Sequence, residues 1–390
     1  MQRCISQAGS DRKARPCRHV AIRPYVTDLS PSSPLPLRES GIADTIGTTL
    51  HRGPAEPVVL GPNQPERFYR GGPTIAAFRG LEAEGSHRPE DWVGSTTSLF
   101  GQSEVGLSRL PSGELLRDAI RENPEAWLGA EHVKRFGADP AILVKLLDAG
   151  QRLPVHAHPD RDFARRFLGS SYGKTEAWRI LAVQKDAHVH LGFRRAIDSA
   201  TLVGWVTTQD SDAMLESMNR LSVKAGDTLF VPAGLPHAID EGVFLLEVQE
   251  PTDFSVLMEW SGFALDGKQD GHLGLGFDSA LECIDLRAYR SSELAQLYGT
   301  DDGLSSVENL LPTESRAFFR LDVLRPRSHV SIEESFAIIA VTAGDGALVS
   351  KRGAAIPLKR GRTILIPFAA GELKIEGSVE VIRCRPPIVA

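Results

Sequence analysis

The sequence predicts a mainly β protein built from two β-barrel modules of one kind, with a helical region inserted in the first. Three observations carry that expectation. Gly226-Asp-Thr-Leu-Phe-Val-Pro-Ala-Gly-Leu-Pro-His237 lies over Gly361-Arg-Thr-Ile-Leu-Ile-Pro-Phe-Ala-Ala-Gly-Glu372 without a gap, and glycine, threonine and proline coincide. Each copy follows strand-like segments, Trp178 to Val183 and Ala187 to Leu191 before the first, Phe336 to Thr342 and Ala347 to Ser350 before the second. At 390 residues the chain is long for one domain, so a repeated unit reads most economically as two modules.

The elements follow in order. Residues 1 to 55 are rich in Arg, Ser and Pro and read as an unstructured extension, or a start placed too early, rather than a targeting peptide. A first module is expected over 56–265, beginning with short strand-like pieces from Val58 to Phe100. The helical insertion covers about 112–140, where Ser112 to Ile120 spaces its apolar residues for an amphipathic helix. From Ala141 to Leu147 the run Ala-Ile-Leu-Val-Lys-Leu-Leu predicts a buried strand. Phe163 and Phe167, four apart, predict one helical face, and a short helix is expected from Ser211 to about Leu221. A connecting segment over 266–300 carries a helix from Asp278 to Arg287, and a second module fills 301–390.

Bulk composition excludes several functions. A net charge of -6 argues against a nucleic-acid binder working through bulk electrostatics, so an anionic ligand needs a local basic pocket. No window approaches the roughly 18 apolar residues a membrane span requires. Four cysteines without paired spacing, Cys4, Cys17, Cys283 and Cys384, read as free thiols in a reducing cytoplasm.

The chemistry concentrates in two pieces. In Gly150-Gln-Arg-Leu-Pro-Val-His156-Ala-His158 the histidines are two apart on strand-like ground, so both face one side while Ala157 faces the other. The second piece ends its turn–strand–turn unit in His237, a further imidazole. Neutral imidazoles with a carboxylate suit zinc, and also iron or manganese. Asp162 and Glu176 are the carboxylates that follow the histidine pair. His188 and His190 repeat the pattern without a following acid and read as strand-face polarity, while Lys224 and Asp227 read as the β-turn before the Thr228 strand.

Gly, five residues and His-x-His, then Gly, five residues and Pro-x-Gly-x-x-His, resemble the two-part signature of the cupin (jelly-roll) barrel. Ile142 to Ala149, His158-Pro-Asp160, Gly173-Lys-Thr-Glu-Ala-Trp178 and Pro232 to Ile239 are together similar to the type I mannose-6-phosphate isomerase family, over roughly residues 58 to 390. That resemblance implies one divalent metal ion, zinc first, held by His156, His158, Glu176 and His237, with His156 where better-known members carry glutamine. It implies an aldose–ketose isomerase converting mannose 6-phosphate to fructose 6-phosphate, expected as a cytoplasmic monomer or homodimer; Glu372 stands where the first module has His237 and no His-x-His precedes it, so the second module is expected to carry no metal. Lys174 matches the family's lysine and is the expected phosphate or substrate contact; Lys268 and His272 lie where the family supplies catalytic groups. Two departures stand out: Pro154 replaces a serine, and no arginine occurs between Arg220 and Arg287, leaving Arg194, Arg195 or Arg287 as substitutes. They motivate competing readings: an isomerase or epimerase of an unphosphorylated or other sugar, and a non-catalytic sugar sensor. An iron-dependent cupin oxygenase is a third.

Overall fold

The computed structural model describes residues 54–388 apart from positions 302, 352 and 354, so the extension expected over residues 1 to 55 lies almost wholly outside the described residues. The strands form three sheets whose ladders are antiparallel. A six-stranded sheet runs Tyr298–Gly299, Thr228–Val231, Glu176–Val183, Val243–Gln249, Leu143–Asp148, Glu90–Val93. A five-stranded sheet runs Val256–Leu257, His156–Ala157, His237–Ile239, His188–Phe193, Met218–Ser222. An eight-stranded sheet holds the C-terminal strands and also the first one, because Val58–Leu60 pairs with Thr363–Leu365.

The architecture is mainly β, as expected, but the ladders close into a barrel in neither half. The reason lies at the edges: Met218–Ser222 and Val256–Leu257 end the five-stranded sheet without hydrogen-bonding to the six-stranded one. The two sheets instead close on side chains. Leu147, Trp178, Ile180, Leu229 and Leu245 from one share an apolar cluster with Val189, Leu191 and Ile239 from the other. Over 112–140 three short helices form, Leu116–Glu122, Pro124–Leu128 and Ala130–Phe136. Leu116, Ile120 and Trp127 join the apolar layer between the six- and eight-stranded sheets, with Phe230, Phe319, Ile338 and Leu365.

Some expected elements end elsewhere. The helix expected from Ser211 stops at Ser217 and becomes strand from Met218, since Met218, Asn219 and Leu221 pair with Phe193, Leu191 and Val189. Over 266–300 a short α-helix, Phe277–Ala280, runs into a 3₁₀ turn, Leu281–Cys283, and stops short of Arg287, and a further helix spans Ser291–Leu297. Phe163 and Phe167 do pack, with ring centroids 4.6 Å apart.

The sequence repeat is a structural repeat at the level of single hydrogen bonds. Gly226 and Gly361 both have positive φ, at 95° and 84°, which a side chain would strain. Gly226 N–H donates to Ile180 O and Gly361 N–H to Val341 O, each at 2.9 Å; Ile180 N–H returns to Asp227 O and Val341 N–H to Arg362 O, again at 2.9 Å. Alternation then sends Leu229 and Ile364 into their own cores and Phe230 and Leu365 into the shared layer.

Candidate metal centre

His156 and His237 are direct cross-strand partners, and His158 follows two residues on. Alternation holds: Ala157 points into an apolar cluster on the opposite face. Gly234 N–H donates to His158 O at 2.7 Å and so ties the turn before His237 to the strand end after His156. The three rings gather with centroids 4.1 to 5.0 Å apart, and their nitrogens lie within 4.8 Å of one another. All three histidines are buried.

Backbone carbonyls set the tautomers. His156 Nδ1 lies 2.8 Å from Pro154 O, His237 Nδ1 2.8 Å from Leu235 O and His158 Nδ1 2.7 Å from Phe254 O. Carbonyls only accept, so each Nδ1 carries the proton and each Nε2 keeps its lone pair. Burial lowers the basicity of all three: His156 falls well below the usual histidine value, with His237 and His158 adding to the effect, and burial with Lys174 brings His158 down to about 3. They are therefore neutral, as metal ligands must be.

Glu176 begins the strand next to the Thr228–Val231 strand, with Oε2 at 3.2 Å from His158 Nε2 and Oε1 at 3.4 Å from His237 Nε2. Trp178 Nε1 donates to Oε1 at 2.9 Å, and its ring meets His237 edge-on at 5.4 Å. Burial pushes the Glu176 carboxyl up, but Lys174 and the histidines outweigh it and hold it well below the ordinary carboxylate range. Lys174 Nζ stands 2.9 Å from Glu176 Oε2 and 2.8 Å from His158 Nε2, a cation at the point where carboxylate and imidazole converge. His237 Nε2 is buried without a hydrogen bond. Three imidazole lone pairs, one of them on the orphaned His237 Nε2, with one carboxylate beside them could hold a single divalent ion.

The centre lies at one side of a cavity of about 500 Å³. His156, Lys174, Glu176 and His237 line it; Lys268 and His272 do not. Lys268 is exposed, and both ring nitrogens of His272 serve its own loop, Nε2 donating to Lys268 O and Nδ1 accepting from Gly276 N–H, each at 3.1 Å. Asp162, the acid nearest the histidine pair in sequence, is exposed and pairs with Arg165. Arg287 is bound to Asp285 and Glu293, and none of Arg194, Arg195 and Arg287 lines the cleft. His190 contacts Asp240 at 3.1 Å, and Lys224 and Asp227 form the β-turn expected of them.

The cleft also holds the charges Arg67, Glu90, Lys145 and Glu247, with Tyr69 among them, which sequence reading missed. Tyr69 and Trp92 donate to Glu90 at 2.5 and 2.6 Å, and Lys145 Nζ sits 3.4 Å from Glu90 and 3.3 Å from Glu247. Burial and the nearby Glu176 charge raise the Glu247 pKa, and its Oε1 makes no hydrogen bond. A signal existed: Lys145 and Glu247 each interrupt an apolar strand, and a charge there needs a buried partner.

Comparison with known proteins places these features in a wider context. Residues 312–386 match the family model described as mannose-6-phosphate isomerase, cupin domain. The chain is 28% identical over 335 residues to mannose-6-phosphate isomerase ManA of Bacillus subtilis, covering 84% of this chain and 98% of that protein. A mannose-6-phosphate isomerase of Streptococcus mutans is 26% identical over 286 residues, covering 71% and 85%. Among solved structures, the mannose 6-phosphate isomerase of Bacillus subtilis superposes with a TM-score of 0.64 at 21% identity, over 84% of this chain and 99% of that one. A phosphomannose isomerase of Salmonella typhimurium gives 0.65 at 16%, over 85% and 100%; at such identities the likeness speaks to the fold.

Proposed function

We propose that this chain, similar to mannose-6-phosphate isomerases along most of its length, is a member of that family and interconverts mannose 6-phosphate and fructose 6-phosphate at the histidine centre. The carrying observation is the convergence of three buried imidazoles, with the Glu176 carboxylate against His158 and His237, beside a cavity of about 500 Å³, a size suited to a small ligand. In this reading His156, His158, Glu176 and His237 hold one ion, and zinc suits the donor set first. When bound, such an ion supplies Lewis acidity for the negative charge that develops on the sugar's O1 and O2.

The remaining work falls to side chains. A proton must leave C2 and return at C1. Glu247, buried in the cleft with a raised pKa and with Oε1 lacking a hydrogen bond but 3.3 Å from Lys145 Nζ, is the group placed to carry it. Trp178 holds Glu176 in orientation, and Lys174, between His158 and Glu176, is placed to meet the sugar's oxygens. Lys268 and His272 have no part in this mechanism, being outside the cleft lining. We read residues 56–265 and 301–390 as two cupin modules joined by 266–300, the first alone carrying metal donors, in a cytoplasmic monomer or homodimer.

The test is a coupled assay for fructose 6-phosphate on metal-loaded protein, with Glu247→Gln beside wild type. Wild type should turn over, and the variant should lose roughly 10²–10⁴ in kcat while keeping its metal. Absence of turnover with wild type sinks the substrate assignment; an active variant sinks Glu247 as the proton carrier. One observation favours an unphosphorylated sugar instead: Arg67, Lys145 and Lys174 each already face a carboxylate. Free mannose assayed in parallel decides between the two.

A further inference from the structure

From Glu176 the charges of the cleft run outward across the six-stranded sheet in an ordered row. Glu247 stands opposite Lys145, and Lys145 opposite Trp92 on the next strand. Lys145 is clamped between Glu247 and Glu90, with its ammonium 4.9 Å from the centre of the Trp92 ring. Glu90 Oε1 lies 3.2 Å from Arg67 Nε, and the two terminal nitrogens of Arg67 donate to the two oxygens of Asp253 at 3.3 Å each. Asp253 Oδ2 also accepts from Phe100 N–H at 3.2 Å. The row thus ends in a guanidinium fork and a backbone N–H that together hold a two-oxygen anion, with Arg67, Phe100 and Asp253 all lining the cleft.

Chain length points the substrate's phosphate along this row. Three covalent bonds span at most about 3.6 Å, so the six bonds from C2 to phosphorus of an extended hexose 6-phosphate span roughly 7 Å. That exceeds one strand spacing of about 4.8 Å and carries the phosphate from the histidine centre past Glu247. Of the cations there, Lys174 stands at the histidine centre itself, 2.9 Å from Glu176 Oε2 and so short of the distance the phosphate is carried, and the Lys145 side chain is 3% exposed between two carboxylates. Arg67 is more open, with a side chain 14% exposed. Its fork is also loosely engaged, the 3.3 Å contacts to Asp253 being longer than the roughly 2.7–2.9 Å of a tight charge-assisted pair. A phosphate offers such a fork the same pair of oxygens with more charge.

We propose that Arg67 is the phosphate seat of this cleft, and that Asp253 is a resident anion which the substrate's phosphate displaces. The inference rests on the mannose 6-phosphate reading. It gives the arginine missing between Arg220 and Arg287 a replacement from before the first module's sheets. It also makes Asp253 a specificity element, because a sugar without phosphate leaves the Arg67–Asp253 pair closed.

Metal-loaded wild type, Arg67→Met, Arg67→Lys and Asp253→Asn are to be titrated calorimetrically with inorganic phosphate and assayed with mannose 6-phosphate. For Arg67→Met the phosphate Kd and the KM should rise at least tenfold, while kcat changes less and metal content stays at one ion. Arg67→Lys, which keeps the charge and loses the fork, should fall between. Asp253→Asn should lower both constants several-fold, because the competing anion is gone. A purely structural ion pair predicts the opposite for that last variant, weakening on either side alike, and this pattern overturns the proposal. So does an Arg67→Lys variant within twofold of wild type, a reading available even if Arg67→Met does not fold. If wild type binds phosphate with the expected pattern but turns over no mannose 6-phosphate, the substrate reading falls and the anion seat stands. Turnover without the pattern removes the seat alone.

Discussion

Gly226 to Pro232 and Gly361 to Pro367 make the same turn, the same four-residue buried strand and the same alternation of faces, yet they end in different chemistry. After Pro232 the chain is tied to His158 through Gly234, and His237 enters a ladder opposite His156 with its ring buried. After Pro367 a short turn leads to Glu372, whose side chain is 43% exposed and pairs with Lys351 at 3.1 Å. The cores differ in the same sense. On the eight-stranded sheet Val330, Ile339, Val341, Leu348, Ile364, Ile375 and Val381 form an apolar cluster. The N-terminal cleft instead packs Glu90, Lys145, Glu176 and Glu247 among tryptophans. One backbone unit therefore leads either into the histidine cluster or into plain scaffold, and the difference lies in which side chains meet it from neighbouring strands.

The largest effect expected from breaking this contrast is His237→Ala. It removes one of three converging imidazoles, so metal and turnover should disappear together; full metal occupancy by elemental analysis would refute the ligand set. Next comes Trp178→Phe, which deletes the N–H that orients Glu176. Losing such an outer partner costs roughly 10–100-fold in metal affinity, to be read by competition with a chelator; unchanged affinity would show that Glu176 is oriented by other contacts. In the scaffold copy, Ile364→Ala should act on stability alone. Ile364 is fully buried, and truncation of such a residue costs about 2–5 kcal/mol, visible in denaturant midpoints, while kcat/KM of the folded protein stays at the wild-type value. Smallest is Glu372→His. A single exposed imidazole beside Lys351 gathers no second donor, so metal stoichiometry should remain at one, and loss of an exposed ion pair shifts stability by about 1 kcal/mol at most. A second bound ion would mean that the scaffold copy retains latent donors.

Much of this contrast is legible in the sequence, for local reasons. Strand alternation places His156 and His158 on one face and Ala157 on the other, and the Gly–Thr–Pro pattern marks two equivalent turns. Those features depend on residues within a few positions of one another. The carboxylate beside the histidines was less accessible: Asp162 is nearer in sequence but exposed, whereas Glu176 reaches the histidines across the sheets. Lys268 and His272 are near the site in family order, but their loop spends His272 on its own backbone.

By itself, then, the sequence determined the β class, the repeat, the pattern of the three histidines and the family resemblance, because periodicity and turn chemistry are written locally. Tertiary structure decided the rest. The first strand pairs not with the N-terminal sheets but with Thr363–Leu365, and Asp253 meets Arg67 across 186 residues. The sheets close through side chains because their edge strands lack mutual hydrogen bonds, and the cleft's charge row exists only where four strands and a loop bring Glu176, Glu247, Lys145, Glu90 and Arg67 side by side. Buried charges become stable through their partners, and partners so far apart along a chain are chosen by packing.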